Sequence, residues 1–274
     1  MNLKNKILYE LAKNIYSKNN SFHHKHSGES CYIFGNGASI KYFDLKYFSD
    51  KISIGCGPLF ALRDFNKINL KYFLEAQSFF FYPYWTNPYT QQFEENHIGK
   101  YYKKNINKFE NIDCFLSISN YFGVSKKNFY YIHHFGEPFN GFDGCRLDDR
   151  FTSMASGLAC MLGIAIYMGF KNIYLVGCDY SFFPQSRGHF YEYGKWPDTY
   201  QEIPINFDFL NAASKHANVT IVTPNNTYKG HILNSITYEE LTGDKPVYKE
   251  NFEIVYSSDL AELDSARMSY KIYK

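Results

Sequence analysis

The stretch SCYIFGNGASIKYFDL (residues 30–45) decides how the rest of the chain is interpreted, because a short apolar run ends there in a Gly-Asn-Gly-Ala-Ser turn. The pattern predicts a buried β-strand over 31–35. Many α/β proteins use such a strand end to bring backbone N–H groups against a phosphate, and the same residues also form ordinary tight turns. The turn alone leaves both interpretations open.

Composition limits the classes of protein that this chain can belong to. Its 274 residues suffice for one large α/β domain, and 29 basic against 27 acidic residues leave a formal charge of +2, which argues against a nucleic-acid-binding protein. The six cysteines form no C-x-x-C pair, as expected of buried thiols in a reducing compartment. With no apolar run near the ~20 residues of a membrane span, we expect a cytoplasmic protein.

The N-terminal residues predict a basic amphipathic helix. Apolar side chains at helical spacing are interleaved with lysines; the apolar set is Leu3, Ile7, Leu8, Leu11 and Ile15. Such a helix could dock peripherally on an anionic membrane or pack against the domain. We divide the chain into this helix with its linker (1–29), an α/β domain (30–250) and a C-terminal extension (251–274).

Strand-like and helix-like segments then alternate along the domain. Predicted strands cover 31–35, 51–56, 70–76, 113–118, 129–134, 172–179 and 218–224, and the clearest helices cover 153–168 and 207–216. This order favours a Rossmann-like, mostly parallel sheet with helices on both faces. Ligands of such sheets bind beyond the carboxyl ends of the strands, so the loops 35–39, 55–58, 75–78, 177–182 and 223–228 become site candidates.

Known nucleotide motifs fit poorly. GNGASI lacks the third glycine of G-x-G-x-x-G, and Cys56 and Gly57 stand where a ribose-binding acid would end the next strand. The P-loop pattern G-x-x-x-x-G-K-[ST] is also absent from the sequence. A mononucleotide or a phosphate remains open as the ligand. Thr152 or Ser153 could cap the helix over 153–168, whose N-terminus favours an anion, and Asp179 would reach the same sheet edge.

Three blocks together, IFGNGASIKYFDL, TSMASG and GFKNIYLVGCDYSF, resemble the CMP-sialic-acid-dependent sialyltransferases of glycosyltransferase family 42. They also resemble related bacterial surface-glycan proteins, among them the motility accessory factors. The resemblance extends from Tyr32 to Thr227. It implies a GT-A-like variant of the fold, a CMP-activated sugar as donor substrate without a further cofactor, and an oligosaccharide or lipid-linked acceptor in lipooligosaccharide or capsule biosynthesis. It also implies a cytoplasmic protein that acts at the inner face of the bacterial inner membrane.

The resemblance implies a donor pocket built from several loops. The resemblance matches Asn36, Gly37, Ser39, Ser156 and Gly157 to this pocket, together with the turn Thr223, Pro224, Asn225 and Asn226, and it leaves Thr152 and Ser153 as a competing register for the helix start. Position at the strand ends adds Gly57, Gln77 and Asp179 to the predicted binding residues. Gly57 stands where the family usually has an asparagine, which keeps a non-catalytic glycan-assembly protein open as an alternative.

Transfer needs a base for the acceptor hydroxyl and hydrogen-bond donors for the departing phosphate. Histidine suits the first task at neutral pH. The resemblance implies a catalytic histidine in a Gly-His-Ser context well after the strand that ends at Asp179. Here RGHFYEYG places Gly188 and His189 closer to that strand, and His189 is the predicted base, with His133 and His134 in reserve. Tyrosine hydroxyls suit the second task, and the candidates are Tyr180, Tyr191 and Tyr193. Arg150 or Arg187 could bind the phosphate or the donor carboxylate.

Two further alternatives concern enzymes with other donors. Asp143, Asp148 and Asp149 offer the hard oxygen ligands that Mg²⁺ or Mn²⁺ prefers, although their spacing is not Asp-x-Asp. They would suit a metal-dependent glycosyltransferase or a pyrophosphokinase-like enzyme. The aromatic segment 79–93 and the loop 182–200 are expected to form an acceptor-side lid.

Overall fold

The computed structural model describes residues 3–86, 91–133, 141–149, 151, 156–183, 188–192, 208–230 and 232–265. The strands are β1 (Ser30–Phe34), β2 (Ser53–Cys56), β3 (Leu70–Glu75), β4 (Tyr84–Thr86), β5 (Phe93–Glu95), β6 (Asp113–Ser117), β7 (Phe129–Ile132), β8 (Asn172–Val176), β9 (Phe182–Phe183), β10 (Asn218–Thr223), β11 (Lys229–Gly230) and β12 (Asn234–Thr237). The α-helices are α1 (Leu3–Tyr16), α2 (His97–Ile106), α3 (Gly157–Tyr167), α4 (Asp208–Ser214), α5 (Tyr238–Thr242), α6 (Asn251–Ile254) and α7 (Ser257–Ser265).

Eight of these strands form one sheet in the order β12-β10-β8-β1-β2-β3-β6-β7. Every pairing within it is parallel. From β1 the chain continues to β2 and β3 on one side, whereas β8 and β10 lie on the other. The strand order therefore reverses between β1 and β8, and this reversal is the topological switch point at which such sheets bind ligands.

Helices cover both faces of the sheet, so the predicted fold class is confirmed. Alternate residues of β1 take part in the two cores: Ile33 packs with Met161 of α3, whereas Phe34 belongs to the core that contains Tyr102 of α2. The α3 helix is buried around most of its circumference, as expected of an apolar helix without a polar face.

All seven predicted strands are present, with ends that differ by a few residues. The eighth strand of the large sheet, β12, was not predicted, because its sequence NSIT is mostly polar and its first residues are exposed at the sheet edge. The long apolar helix begins later than predicted, at Gly157, because Ser156 is its N-cap and accepts a hydrogen bond from Ala159 N at 3.1 Å.

The N-terminal helix α1 packs along the edge strand β7. The Tyr16 ring stacks on His133 with centroids 5.3 Å apart, and Asn19 Nδ2, just past the helix, donates to the carbonyls of Tyr131 and Leu147 at 2.8 Å each. Ile7 and Leu11 point away from this contact and are 52% and 73% exposed. No helix within the described ranges has the length and apolarity needed to cross a bilayer.

Candidate functional site

A pocket of about 280 Å³ opens at the switch point between β1 and β8. It is enclosed by the turns after these two strands, the first turn of α3, one face of α4 and the loop 188–192, which we call the histidine loop. Its lining residues are Gly35, Asn36, Gly37, Cys56, Ser156, Gly157, Leu158, Met161, Gly177, Cys178, Asp179, Tyr180, Ser181, Gly188, His189, Phe209 and Leu210.

Backbone hydrogen bonds and one buried carboxylate hold the two strand-end turns together. Gly37 N donates to Gly177 O at 2.8 Å, and the Asp179 carboxylate accepts from Ser39 N at 2.8 Å and Ser39 Oγ at 2.5 Å. A Cβ at position 37 would lie 2.3–2.6 Å from that carboxylate, so only glycine fits there. Asp179 and the fully buried Ser39 therefore fix the shape of the turn.

Asn36 lines the pocket and carries a buried amide oxygen that lacks a hydrogen-bond partner among the described residues. Its Nδ2 donates to Cys56 O at 3.1 Å, which fixes the amide, and within the described residues its buried Oδ1 has no hydrogen-bond partner. Gly57, at φ +65°, allows this arrangement, since a Cβ there would stand 2.3 Å from Asn36 Nδ2. A buried acceptor without a partner is costly, and a ligand would relieve that cost if the Asn36 amide turned its Oδ1 toward the pocket to accept from it.

The N-terminus of α3 forms another wall of the pocket, through Ser156, Gly157 and Leu158. The first N–H groups of a helix lack intrahelical partners, and the helix dipole places partial positive charge at the same end. A phosphate in the pocket would meet this end of α3.

The histidine loop is paired with the turn after β1. Ala38 N donates to Gly188 O at 3.2 Å and Phe190 N donates to Asn36 O at 3.0 Å, which brings His189 to the pocket. His189 Nδ1 lies 2.9 Å from Glu192 Oε1, and the buried Tyr191 ring stacks on the imidazole with centroids 5.0 Å apart.

The structure thus brings part of the predicted set together: Asn36, Gly37, Ser156, Gly157, Asp179, Tyr180 and His189 all line one pocket. Ser39, Gly57 and Tyr191 support that lining from behind. Gln77 and the Asn225–Asn226 turn do not line it: Gln77 N donates to Glu75 Oε1 at 3.0 Å, and Asn225 Oδ1 accepts from Thr227 N at 2.9 Å. Thr152, Ser153, Tyr193, Arg150, Arg187 and His134 lie outside the described residues.

The aspartates proposed as metal ligands have separate partners. Asp148 pairs with Arg146 at 2.6 Å and accepts from the Tyr167 hydroxyl at 2.9 Å, Asp149 accepts from Tyr9, and Asp143 lies 3.3 Å from His216. Across the described part of the chain, no three His, Cys, Asp or Glu side chains cluster in a way that could hold a metal ion. The reserve histidine His133 is buried beneath α1, away from the pocket lining.

Two acidic residues near the pocket, Glu192 and Glu75, were not among the predicted site residues. Glu192 could have been found from the His-x-x-Glu spacing, which folds the carboxylate back onto His189. Glu75 ends β3, where burial raises its pKa to about 7 against the opposing effect of the hydrogen bond from Gln77 N. Burial also raises the pKa of the neighbouring Cys56 thiol to about 12, with a further rise from the charge of Glu75, so this thiol stays protonated at neutral pH.

No protein-family model matches the chain, and the comparison with curated proteins finds no match. Among solved structures, the chain is similar to a MAf glycosyltransferase from Magnetospirillum magneticum AMB-1. The sequence identity is 13% and the TM-score is 0.48, over 94% of this chain and 42% of that one. The chain thus spans less than half the length of that protein.

The sialyltransferase CstII from Campylobacter jejuni, in complex with the substrate analogue CMP-3FNeuAc, is similar with 16% identity and a TM-score of 0.42 over 87% of this chain and 99% of that one. The sialyltransferase CST-II in complex with trisaccharide acceptor and CMP is similar with 15% identity and a TM-score of 0.42, over 87% of this chain and 100% of that one. The chain is therefore similar, over most of its length and at low sequence identity, to glycosyltransferases that include sialyltransferases.

Proposed function

We propose that the protein is a sialyltransferase-like glycosyltransferase, which moves a sialic-acid-like sugar from a CMP donor to a glycan hydroxyl, with inversion and without a metal ion. One observation carries the proposal: a single pocket at the sheet's switch point is lined by Asn36, whose buried Oδ1 lacks a partner, by the N-terminus of α3 and by His189. The resemblance of three sequence blocks to family 42 sialyltransferases selects CMP among the nucleotides that such a pocket could accept.

The pocket divides into complementary parts for a nucleoside monophosphate. Asn36 Oδ1 would accept a hydrogen bond from an amino or hydroxyl group of the nucleoside, and the N-terminus of α3 would bind the phosphate. Tyr180, 41% exposed, lines the same pocket and would donate its hydroxyl hydrogen to the phosphate as negative charge develops there.

In the proposed reaction, His189 removes the proton of the acceptor hydroxyl. The acceptor oxygen forms its bond to the anomeric carbon on the face opposite the phosphate, while the bond from that carbon to the phosphate oxygen breaks. CMP leaves as a phosphate monoester with the electron pair of the broken bond. Attack from the opposite face inverts the anomeric configuration.

Exposed aromatic rings support an acceptor site beyond the carboxyl end of β3. Phe79 follows β3, and its backbone N–H donates to Ser119 Oγ at 3.0 Å, while Tyr84 and Phe93 stack at 6.0 Å across the short β4–β5 ribbon. These three rings are largely exposed, Phe93 at 75%. Aromatic faces of this kind pack well against the apolar faces of sugar rings.

Peripheral membrane association through α1 is part of the proposal, since Ile7 and Leu11 are exposed on a lysine-rich helix. Leu11→Ser should lower sedimentation with vesicles that contain anionic lipid. Val247→Ser removes a similarly exposed side chain elsewhere and serves as the control. Equal sedimentation of the wild-type protein and Leu11→Ser would remove α1 as the membrane contact.

The decisive assay measures CMP release from a CMP-linked nonulosonic acid with and without oligosaccharide acceptors, in the presence of EDTA. His189→Ala should lower the transfer rate by about 10²–10⁴-fold, the usual contribution of a general base, while CMP binding persists. The exposed His97→Ala is the matched control. An unchanged rate in His189→Ala would contradict the assigned base, and CMP binding without any turnover would favour the non-catalytic alternative.

A further inference from the structure

We propose that Glu192 is a positioning residue that holds the His189 imidazole in the tautomer with hydrogen on Nδ1, so that Nε2 is left as the proton acceptor at the pocket. The proposal rests on the function proposed above, because it assigns the means by which His189 would act as base.

Both carboxylate oxygens of Glu192 face His189. Oε1 lies 2.9 Å from the ring Nδ1, and Oε2 accepts from the His189 backbone N–H at 3.0 Å. A neutral imidazole carries hydrogen on one nitrogen and a lone pair on the other, and an ionised carboxylate can only accept. The hydrogen therefore belongs on Nδ1, which leaves the lone pair of Nε2 for the acceptor hydroxyl.

Glu192 is held as a carboxylate in this place. Burial by itself raises its pKa, but the hydrogen bonds and charge from His189 and the charge of Lys41 outweigh burial and leave the pKa below its usual value. Lys41 is almost fully buried, and its Nζ donates to Glu192 O at 2.6 Å. Glu250 is a second acid near Lys41, and burial lowers the pKa of Lys41 despite both acids.

The imidazole itself is fixed from two more sides. Tyr191 stacks on the ring almost in parallel, with an interplanar angle of 10°, and the backbone of Gly188 and Phe190 pairs with the turn that carries Asn36. Gly188 has a φ of +101°, which favours glycine, and a Cβ there would lie 3.3 Å from Glu192 Oε2. The ring therefore has a fixed position, and Glu192 determines which nitrogen carries hydrogen.

A purely structural role for Glu192 is the alternative, because its Oε2 also closes the turn by accepting from the His189 backbone N–H at 3.0 Å. Glu192→Gln separates the two roles. The amide oxygen can still accept from the His189 backbone, but the amide NH₂ would then face Nδ1 and favour the tautomer with hydrogen on Nε2. In a catalytic triad, an analogous acid-to-amide change produces the wrong tautomer and a large loss of kcat.

The first test is NMR of protein labelled with ¹⁵N in its histidine rings, at a pH where the ring is neutral, with His189→Gln used to assign the signal. We expect hydrogen on Nδ1 in the wild-type protein and on Nε2 in Glu192→Gln. Glu250→Gln, which removes the other acid near Lys41 without touching the ring, should leave the signal unchanged. Hydrogen on Nε2 in the wild-type protein, or the same tautomer in Glu192→Gln, would overturn the proposal.

The second test separates this proposal from the proposed function. Glu192→Gln should lower kcat by at least about tenfold, up to the 10²–10⁴-fold limit set by loss of the base, with donor KM and CMP affinity unchanged within about twofold. If His189→Ala loses activity and Glu192→Gln does not, the positioning role fails while the function stands. If the wild-type protein transfers no sugar, the function fails, and the NMR result still decides the tautomer.

Discussion

Glu75 offers a quantitative test of the electrostatics beside the pocket. Its carboxyl group ends β3, one position beyond the pairing of Cys56 with Leu74, and burial raises its pKa from 4.5 to about 7. Because the folded-state value is the higher one, the folded protein binds a proton more tightly than the unfolded chain does. Folding therefore incurs a cost as pH rises through this window, and the cost is absent below the unfolded-state pKa.

The size of this cost follows from the two pKa values. It amounts to about 0.2 kcal/mol at pH 4, about 1 kcal/mol at pH 5 and about 3 kcal/mol at pH 8. Glu75→Gln replaces the titrating group by a neutral one of the same size, whose oxygen can still accept from Gln77 N. The variant should therefore be more stable than the wild-type protein at pH 8, by up to about 3 kcal/mol, and nearly equal to it at pH 4.

The assay is denaturant unfolding of both proteins at several pH values between 4 and 8, read as the difference in free energy of unfolding. A difference that is flat with pH would refute the raised pKa of Glu75. Greater stability of the wild-type protein at pH 8 would mean that an ionised Glu75 has a stabilising partner.

Three further variants probe the pocket and its frame. Gly37→Ala places a Cβ within 2.6 Å of the Asp179 carboxylate, so it should break the hydrogen bonds from Ser39 to that carboxylate. We expect urea unfolding to show a loss of about 3 kcal/mol in the free energy of unfolding. A loss below about 0.5 kcal/mol would mean that the turn can relax. Ser156→Ala removes the N-cap of α3 and should cost about 1 kcal/mol in the same measurement. Asn19→Ala leaves two buried carbonyls without their donor and should lower the thermal midpoint by several degrees, whereas an unchanged midpoint would show that water replaces it.

Much of the fold could be predicted because the strands of the sheet are apolar and rich in residue types that favour β-structure. Segments such as CYIFG and NIYLVGCD are buried on both faces of a parallel sheet, so hydrophobicity alone marks them. The polar edge strand β12 and the tyrosine- and lysine-rich helix α2 lack that signal, because each is half exposed. Strand order cannot be predicted from periodicity, since it depends on which edges pair after the chain has collapsed.

The pocket was predictable where a residue comes within three positions of the end of β1 or β8, the two strands at the switch point. Asn36, Gly37 and Asp179 satisfy that condition, and the structure places all three in the pocket lining. Gln77 and Asn225 also follow strands, but β3 and β10 lie farther from the reversal between β1 and β8. Glu192 could not be assigned from strand ends, because its position depends on the turn by which the histidine loop folds back.

The ligand that binds between β1 and β8 is the most direct test of a CMP-sugar site. Calorimetry with CMP, CDP, UDP, GDP and ATP, each with EDTA and with Mg²⁺, identifies it. We expect CMP to bind selectively with or without the metal, and Asn36→Ala to weaken that binding by at least about tenfold, since it removes the unsatisfied acceptor. Asn234→Ala, at the exposed sheet edge, should bind like the wild-type protein. Tighter binding of UDP, GDP or ATP with Mg²⁺, or equal affinity in Asn36→Ala, would contradict a CMP-sugar site at this pocket.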